Sequence, residues 1–290
     1  MSGFFRRVLY GKERKSDFTE ANLPATRREQ FVYVIKTRWR RLLTVNVWVF
    51  LFFTPLLLWH LLCLSYESSF GNLTEENISA YIQYVSAYKS IPRTIFMGVA
   101  GLGLAGGLHA IRMIVWGEPV GPVRAFFHGI RHSYIQFLIG GFFYGIFRTI
   151  LEVAKILVFG GGVLEDGMQI IVVASVILSE YMIVIFGMFM MALVSNYNIR
   201  FLHCMKNSIL LTVSTLMKTL LVLCAGLLPT AGWFLIGHIV SHLIGIVILM
   251  SVGFAYSIMV WCLYTNSIFD RYINYQSYPD YYRKGLRKEK

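Results

Sequence analysis

Two charged residues interrupt apolar stretches of this sequence and are the first candidates for chemistry. Glu180 and Lys218 each lie about 11 residues from the nearest end of an apolar run, or roughly 16 Å along a helix. A lone charge at the centre of a bilayer costs at least about 2.5–3.5 kcal/mol, so the two side chains are expected to pair or to face a water-filled cavity. One hypothesis is a substrate or ion site; the favoured one is a pair that locks two helices together.

A second charged group, Arg148, Glu152 and Lys155, has the spacing i, i+4, i+7, which places all three on one helix face and lets the first two pair. These residues lie toward one end of their apolar run. A solvated or snorkelling helix end is therefore favoured over a proton relay. Glu180 could instead pair with this group, which would change the inferred helix neighbours.

Other patterns resemble catalytic or cofactor motifs but lack the necessary context. The stretch Gly101–Gly106 matches the dinucleotide fingerprint GxGxxG, yet it lies inside an apolar run instead of between a strand and a helix. We interpret Gly103/Gly107 and Gly141/Gly145 as small-residue faces that let helices approach closely. No cofactor is predicted.

The histidines and cysteines do not form a metal or catalytic pattern. His238 and His242 have the i, i+4 spacing of helical metal ligands, but two ligands do not make a site. The four cysteines have no paired spacing, and no Ser/His/Asp set or carboxylate pair is present in the sequence. We predict no catalytic residues and no enzymatic activity.

The elements that must position these residues are membrane-spanning helices. The 290 residues are 56% hydrophobic and only 14% charged, against about 25% charged in ordinary soluble domains. Six apolar runs are long enough to cross a bilayer. They cover residues 42–64, 94–116, 134–157, 169–195, 208–228 and 232–265. The predicted fold class is an all-α, polytopic transmembrane helix bundle of about six spans, with the lipid bilayer as its first partner.

The charge distribution predicts the orientation and the division of the chain. Of the 27 Lys and Arg residues, 22 lie on one side of the six spans, which indicates cytoplasmic termini and makes a nucleic-acid partner unnecessary. We predict a basic N-terminal segment 1–41, a membrane domain 42–266 with an outer loop 65–93, and a Tyr-rich basic tail 267–290. The tail is expected to be an interfacial anchor, or alternatively a docking site for a partner.

Two inner segments are similar to each other. Residues 127–133 and 202–208 share an order of apolar, His, two apolar or small, basic, polar and Ser residues, and each leads into a span. A true duplication would relate spans two and three to spans four and five by a parallel repeat. Chance similarity between short amphipathic segments is an equal alternative.

Several motifs resemble the YesL-like family of bacterial integral membrane proteins. The resemblance covers most of the chain and rests on these residues: Asn46, Trp48 and Pro55; Ala105–Glu118 with Arg112; Arg124-Ala-Phe126-Phe127 with Arg131; and Phe269-Asp270-Arg-Tyr-Ile-Asn274. It departs from the family in the long segment 65–93, where members have a tight turn.

The resemblance implies a bacterial plasma-membrane protein without an established activity, encoded beside sugar permeases and glycan-degrading enzymes. We therefore expect a non-enzymatic accessory or regulatory role in carbohydrate uptake, with a sugar-transport permease or another membrane protein as partner. The alternative is a solute transporter or channel with a midplane site at Glu180 and Lys218. The sequence leaves the oligomeric state open.

Overall fold

The computed structural model describes residues 23–70, 77–160, 166–197, 199–236 and 238–287. All regular structure in these ranges is helical, and six helical stretches are long and apolar enough to cross a membrane. They are Arg27–Phe70, Ile78–Trp116, Pro122–Val158, Gly167–Asn196, Phe201–Leu227 and Ile239–Ser277. The predicted all-α architecture with six spans is confirmed.

The helices are numbered in chain order. They are α1 (Arg27–Glu67), α2 (Ile78–Gln83), α3 (Ser90–Trp116), α4 (Pro122–Gly160), α5 (Asp166–Asn196), α6 (Phe201–Leu235), α7 (Ile239–Ile248), α8 (Phe254–Phe269) and α9 (Tyr275–Ser277). Helix α1 starts well before the first apolar run. Thr26 caps it by accepting a hydrogen bond from the backbone amide of Glu29 at 3.2 Å. Residues 27–41 of the predicted basic segment 1–41 are therefore helical and continuous with the first span.

Helices α3 and α4 are in backbone contact through glycines. A Cβ atom on Gly101 would lie 2.4 Å from the carbonyl oxygen of Phe137, and one on Gly141 would lie 2.3 Å from that of Met97. Such approach is possible only without a side chain. The predicted close packing of the glycine faces is thus confirmed, although Gly103 and Gly107 face α1 and α8 instead of α4.

The two terminal parts of the chain meet at one end of the bundle, which we call the basic end. Arg27 on α1 forms an ion pair with Asp270 at 2.6 Å, and the amide of Arg287 donates to the carbonyl of Pro24 at 2.9 Å. Lys284 pairs with Glu118 at 2.9 Å. The tail therefore folds back onto the bundle, and its role as an interfacial anchor or a docking site stays a prediction. The other end is called the opposite end.

The last span contains a π-helical segment, Leu249–Gly253, between α7 and α8. Asn46 on α1 is fully buried against it. Its amide donates to the carbonyls of Leu249 at 3.0 Å and Met250 at 2.7 Å, and its carbonyl oxygen accepts from the amide of Ala255 at 2.9 Å. These bonds satisfy backbone groups that the wider helical turn leaves free. One polar residue of α1 thereby fixes the position of the last span.

The two similar segments, 127–133 and 202–208, both lie within helices. They end differently, because Ser133 has a non-helical backbone (φ −129°, ψ 16°) that kinks α4, whereas Ser208 donates to the Cys204 carbonyl within α6. The internal repeat stays a prediction.

Candidate functional site

A network of ion pairs occupies the opposite end between α1, α3 and α4. The Nζ atom of Lys89 lies 2.5 Å from a carboxylate oxygen of Glu67 and 2.5 Å from one of Glu152. Arg93 pairs with the second oxygen of Glu152 and donates to the Thr149 hydroxyl at 2.8 Å. These side chains are mostly buried, so each charge is neutralised by an adjacent one. We call these groups the outer ion network.

The structure corrects the predicted pairing of the charged group on α4. Glu152 points to α3, and its partners are Lys89 and Arg93 in place of Arg148. Arg148 and Lys155 instead pair with Glu180 on α5, the latter at 3.2 Å. The sequence could not distinguish these arrangements, because a helical face of charges fits any neighbouring helix that carries a complementary charge.

The predicted pair of Glu180 and Lys218 does not form. Lys218 is exposed on α6 and has no ion pair among the residues described. The reason is the rotation of α6: the adjacent Thr219 is buried, and its hydroxyl lies 2.7 Å from that of Tyr264 on α8. Lys218 therefore points away from the bundle, while Glu180 already has two cationic partners.

An aromatic groove opens beside the outer ion network, between the end of α1 and the segment around α2. It has a volume of about 550 Å³. Its lining residues are Trp59, Leu62, Cys63, Tyr66, Phe70, Ala80, Gln83, Tyr84 and Tyr88. Its rings contact one another, with centroid distances of 4.9 Å between Tyr66 and Tyr84 and 5.6 Å between Phe70 and Tyr84. We call this feature the outer groove.

The outer groove combines aromatic walls with a few polar groups. The Tyr84 hydroxyl is buried beside the thiol of Cys63, a weak partner, and has no oxygen or nitrogen partner in the part of the chain described. The indole nitrogen of Trp59 donates to the Lys89 carbonyl at 3.1 Å, which joins the wall of the groove to the outer ion network. A ligand with both apolar faces and hydroxyl groups would match this lining.

The signal for the outer groove was only partly visible in the sequence. Tyr81, Tyr84 and Tyr88 recur at roughly helical spacing, which indicates an interfacial helix. The structure confirms helical backbone there, with a π-helical segment over Tyr84–Lys89. The contribution of Trp59, Tyr66 and Phe70 depends on how α1 packs against this segment, and no local pattern encodes that.

The two histidines with metal-ligand spacing make different ring contacts. The Nδ1 atom of His238 accepts from the Val240 amide at 3.3 Å at the start of α7, whereas the ring of His242 lies 5.1 Å from that of His60 on α1. Among the described residues, no group of three His, Cys, Asp or Glu side chains could hold a metal ion.

No protein-family model, curated protein or solved structure matches the chain. The resemblance to the YesL-like family rests on the sequence motifs alone. The function must therefore be inferred from the geometry of the outer groove and the outer ion network.

Proposed function

We propose that this chain is a non-enzymatic protein of the bacterial plasma membrane that binds carbohydrate in the outer groove. It then acts as an accessory or regulatory component of carbohydrate uptake, beside a sugar-transport permease or another membrane protein. The observation that carries the proposal is the aromatic lining of the groove. A pyranose ring presents apolar C–H faces that stack on aromatic rings, and its hydroxyl groups require hydrogen-bond partners.

The chemistry of the lining supports a sugar over a purely apolar ligand. Tyr66 and Tyr88 are 55% and 69% exposed, so their rings are available for stacking. The exposed amide of Gln83 supplies hydrogen-bonding groups along the same surface.

The distribution of charge supports an external position for the groove. The basic end carries most Lys and Arg residues, and the positive-inside rule assigns such an end to the cytoplasm. The outer groove, at the opposite end, would then face incoming solutes. The outer ion network beside it fixes α1, α3 and α4 against one another, so that the aromatic walls are held in place before a ligand arrives.

Calorimetric titration of the protein in lipid nanodiscs with a panel of mono- and oligosaccharides tests the binding. Tyr88→Ala removes an exposed groove ring, and we expect it to weaken sugar binding about fivefold to tenfold, since stacking of one ring contributes on the order of 1 kcal/mol. Tyr275→Ala is the matched control, because Tyr275 is 70% exposed at the basic end. Absence of binding to every sugar, or equal effects of the two changes, would contradict the proposal.

The alternative of a transporter is tested separately. In proteoliposomes that contain only this protein, an accessory role predicts no sugar or ion flux. Flux that Glu180→Gln or Lys218→Met abolishes would favour the transporter, whereas loss of stability without flux would assign Glu180 a structural role.

A further inference from the structure

A small polar pocket lies at the basic end, where α4, α5 and α6 meet. Its volume is about 80 Å³, which suits a small ionic group and excludes a nucleotide. The lining residues are His132, Ser133, Gln136, Val194, Tyr197, Ile199 and Phe201. We call it the inner pocket. It is distinct from the outer groove, which is at the other end of the bundle.

Several hydrogen-bond donors at the inner pocket have no partner. Ser133 is only 4% exposed, and its hydroxyl forms no hydrogen bond with the residues described. The kink at Ser133 separates it from the regular hydrogen bonding of α4. Ser133 lines the inner pocket, so its unpartnered hydroxyl is placed to donate to a group bound there.

The amino-terminal end of α6 faces the same pocket. The backbone amides of Phe201 and Leu202 have no acceptor in the described part of the chain, and the side chain of Arg200 does not cap the helix. Helix α6 has 35 residues, so its free amides and macrodipole favour an anion at this position. Ser133 and these amides approach the pocket from two different elements.

The described surroundings of the inner pocket are cationic. No carboxylate of the described residues lines it, while Arg131 and Arg200 are exposed directly beside lining residues in the sequence. Burial raises the pKa of the Tyr197 hydroxyl, so this phenol stays neutral at physiological pH. The nearest acid on the tail, Asp270, is already paired with Arg27.

A buried guanidinium behind the inner pocket adds to the positive field. Arg112 is 7% exposed and donates to the carbonyl of Ser195 and, at 2.6 Å, to the amide oxygen of Asn196, the residue before Tyr197. Its other contacts are the imidazole of His109 and the ring of Trp116, and its Nε atom has no partner among the described residues. A buried charge without an acid is stabilised by an anion nearby.

We infer that the inner pocket binds a phosphoryl group through the Ser133 hydroxyl, the Gln136 side chain and the free amides at the start of α6. The oxygens of a tetrahedral oxyanion point in several directions, so they can accept hydrogen bonds from donors on different elements. The two oxygens of a carboxylate lie in one plane and reach fewer such donors. At the basic end the same chemistry is offered by a free phosphate and by the headgroup of a phospholipid. The two sources are distinguished by experiment.

Two binding measurements on the full chain in detergent micelles separate these sources. Calorimetric titration with inorganic phosphate detects a soluble ligand. Native mass spectrometry with added phosphatidic acid or diacylglycerol detects a lipid ligand, since the second lipid lacks the phosphate. Binding of phosphate, or retention of phosphatidic acid in preference to diacylglycerol, is the expected result.

Substitutions test whether the binding occurs at the inner pocket. Ser133→Ala should weaken the observed binding about tenfold, because a hydrogen bond to a charged group is lost, and S133D should abolish it by repulsion. Ser208→Ala is the matched control: Ser208 is also buried on the inner half of the bundle, but its hydroxyl is used within α6. Gln136→Leu provides a second change if a Ser133 variant is unstable.

The inference is overturned if neither phosphate nor phosphatidic acid binds, since the donors then serve no phosphoryl ligand. It is also overturned if binding occurs but Ser133→Ala, S133D and Gln136→Leu leave it unchanged within twofold of the Ser208→Ala control. That result would place the phosphoryl group elsewhere on the basic end.

Discussion

Helix α3 carries a buried arginine toward each end of the bundle, and the two have different partners. Arg93, at the opposite end, pairs with Glu152 and belongs to the outer ion network. Arg112, at the basic end, contacts a carbonyl, an amide, an imidazole at 2.9 Å and the ring of Trp116 at 4.9 Å, but no carboxylate of the described residues.

The difference indicates two uses of buried charge. At the opposite end, cations and carboxylates neutralise one another, and their main effect is to fix three helices around the outer groove. At the basic end, the buried charge of Arg112 has no carboxylate partner among the described residues and is held by a backbone carbonyl and an amide oxygen. A buried cation with carboxylate partners stabilises the packing of the helices that carry them, whereas a buried cation without such a partner adds a positive potential to its surroundings.

The largest expected effect follows from removing the shared carboxylate of the outer ion network. Glu152→Gln leaves Lys89 and Arg93 buried with too few acids, and we expect the free energy of unfolding to fall by about 3 kcal/mol. Reversible unfolding in mixed SDS micelles measures it. Glu118→Gln is the control, because its pair with Lys284 is about one-third exposed and should contribute less than about 1 kcal/mol. Equal effects of the two substitutions on the free energy of unfolding would contradict the distinction between the two ends of the bundle.

The next largest effect concerns the interface between α3 and α4, which places Arg93 beside Glu152. Gly141→Ala places a methyl group 2.3 Å from the backbone oxygen of Met97, so α3 and α4 must separate, at a cost of about 2 kcal/mol. Gly187→Ala on α5 is the matched control, since nothing lies within 4 Å of its added Cβ. If the same unfolding assay shows no difference between the two alanine variants, the close packing of α3 on α4 is not what supports the outer ion network.

A smaller effect is expected where the tail closes the basic end. Asp270→Asn loses the ion pair with Arg27 and weakens the bond that the Arg283 amide donates at 3.1 Å. We expect a loss of about 1.5 kcal/mol and faster tryptic cleavage after Lys284, because the tail is released. Asp280→Asn changes an exposed acid in the same tail and should leave the cleavage rate unchanged. An unaltered rate in both variants would mean that the Asp270 contacts do not hold the tail.

The smallest effect is expected for Arg112, which has no carboxylate partner among the described residues. Arg112→Met removes a buried charge that has no carboxylate partner among the described residues, so the loss of its hydrogen bonds is offset by the removal of its desolvation cost. We expect the free energy of unfolding to change by less than about 1 kcal/mol in the SDS assay. A loss as large as that of Glu152→Gln would show that Arg112 stabilises the fold in the same way as Arg93.

The sequence determined the all-α class and the six spans, because runs of apolar residues long enough to cross a bilayer are a local property of the chain. It also indicated helix packing at Gly141 and Gly145, since a residue without a side chain permits close approach whatever the neighbour is.

Only the tertiary structure decided which groups meet. Glu180 pairs with Arg148 and Lys155 instead of Lys218 because α4 lies beside α5 and because α6 is rotated to bury Thr219. The outer groove and the inner pocket each combine residues from elements that are distant in sequence. Helix rotation and neighbour choice result from packing over the whole bundle, and in lipid the local apolar pattern does not specify them.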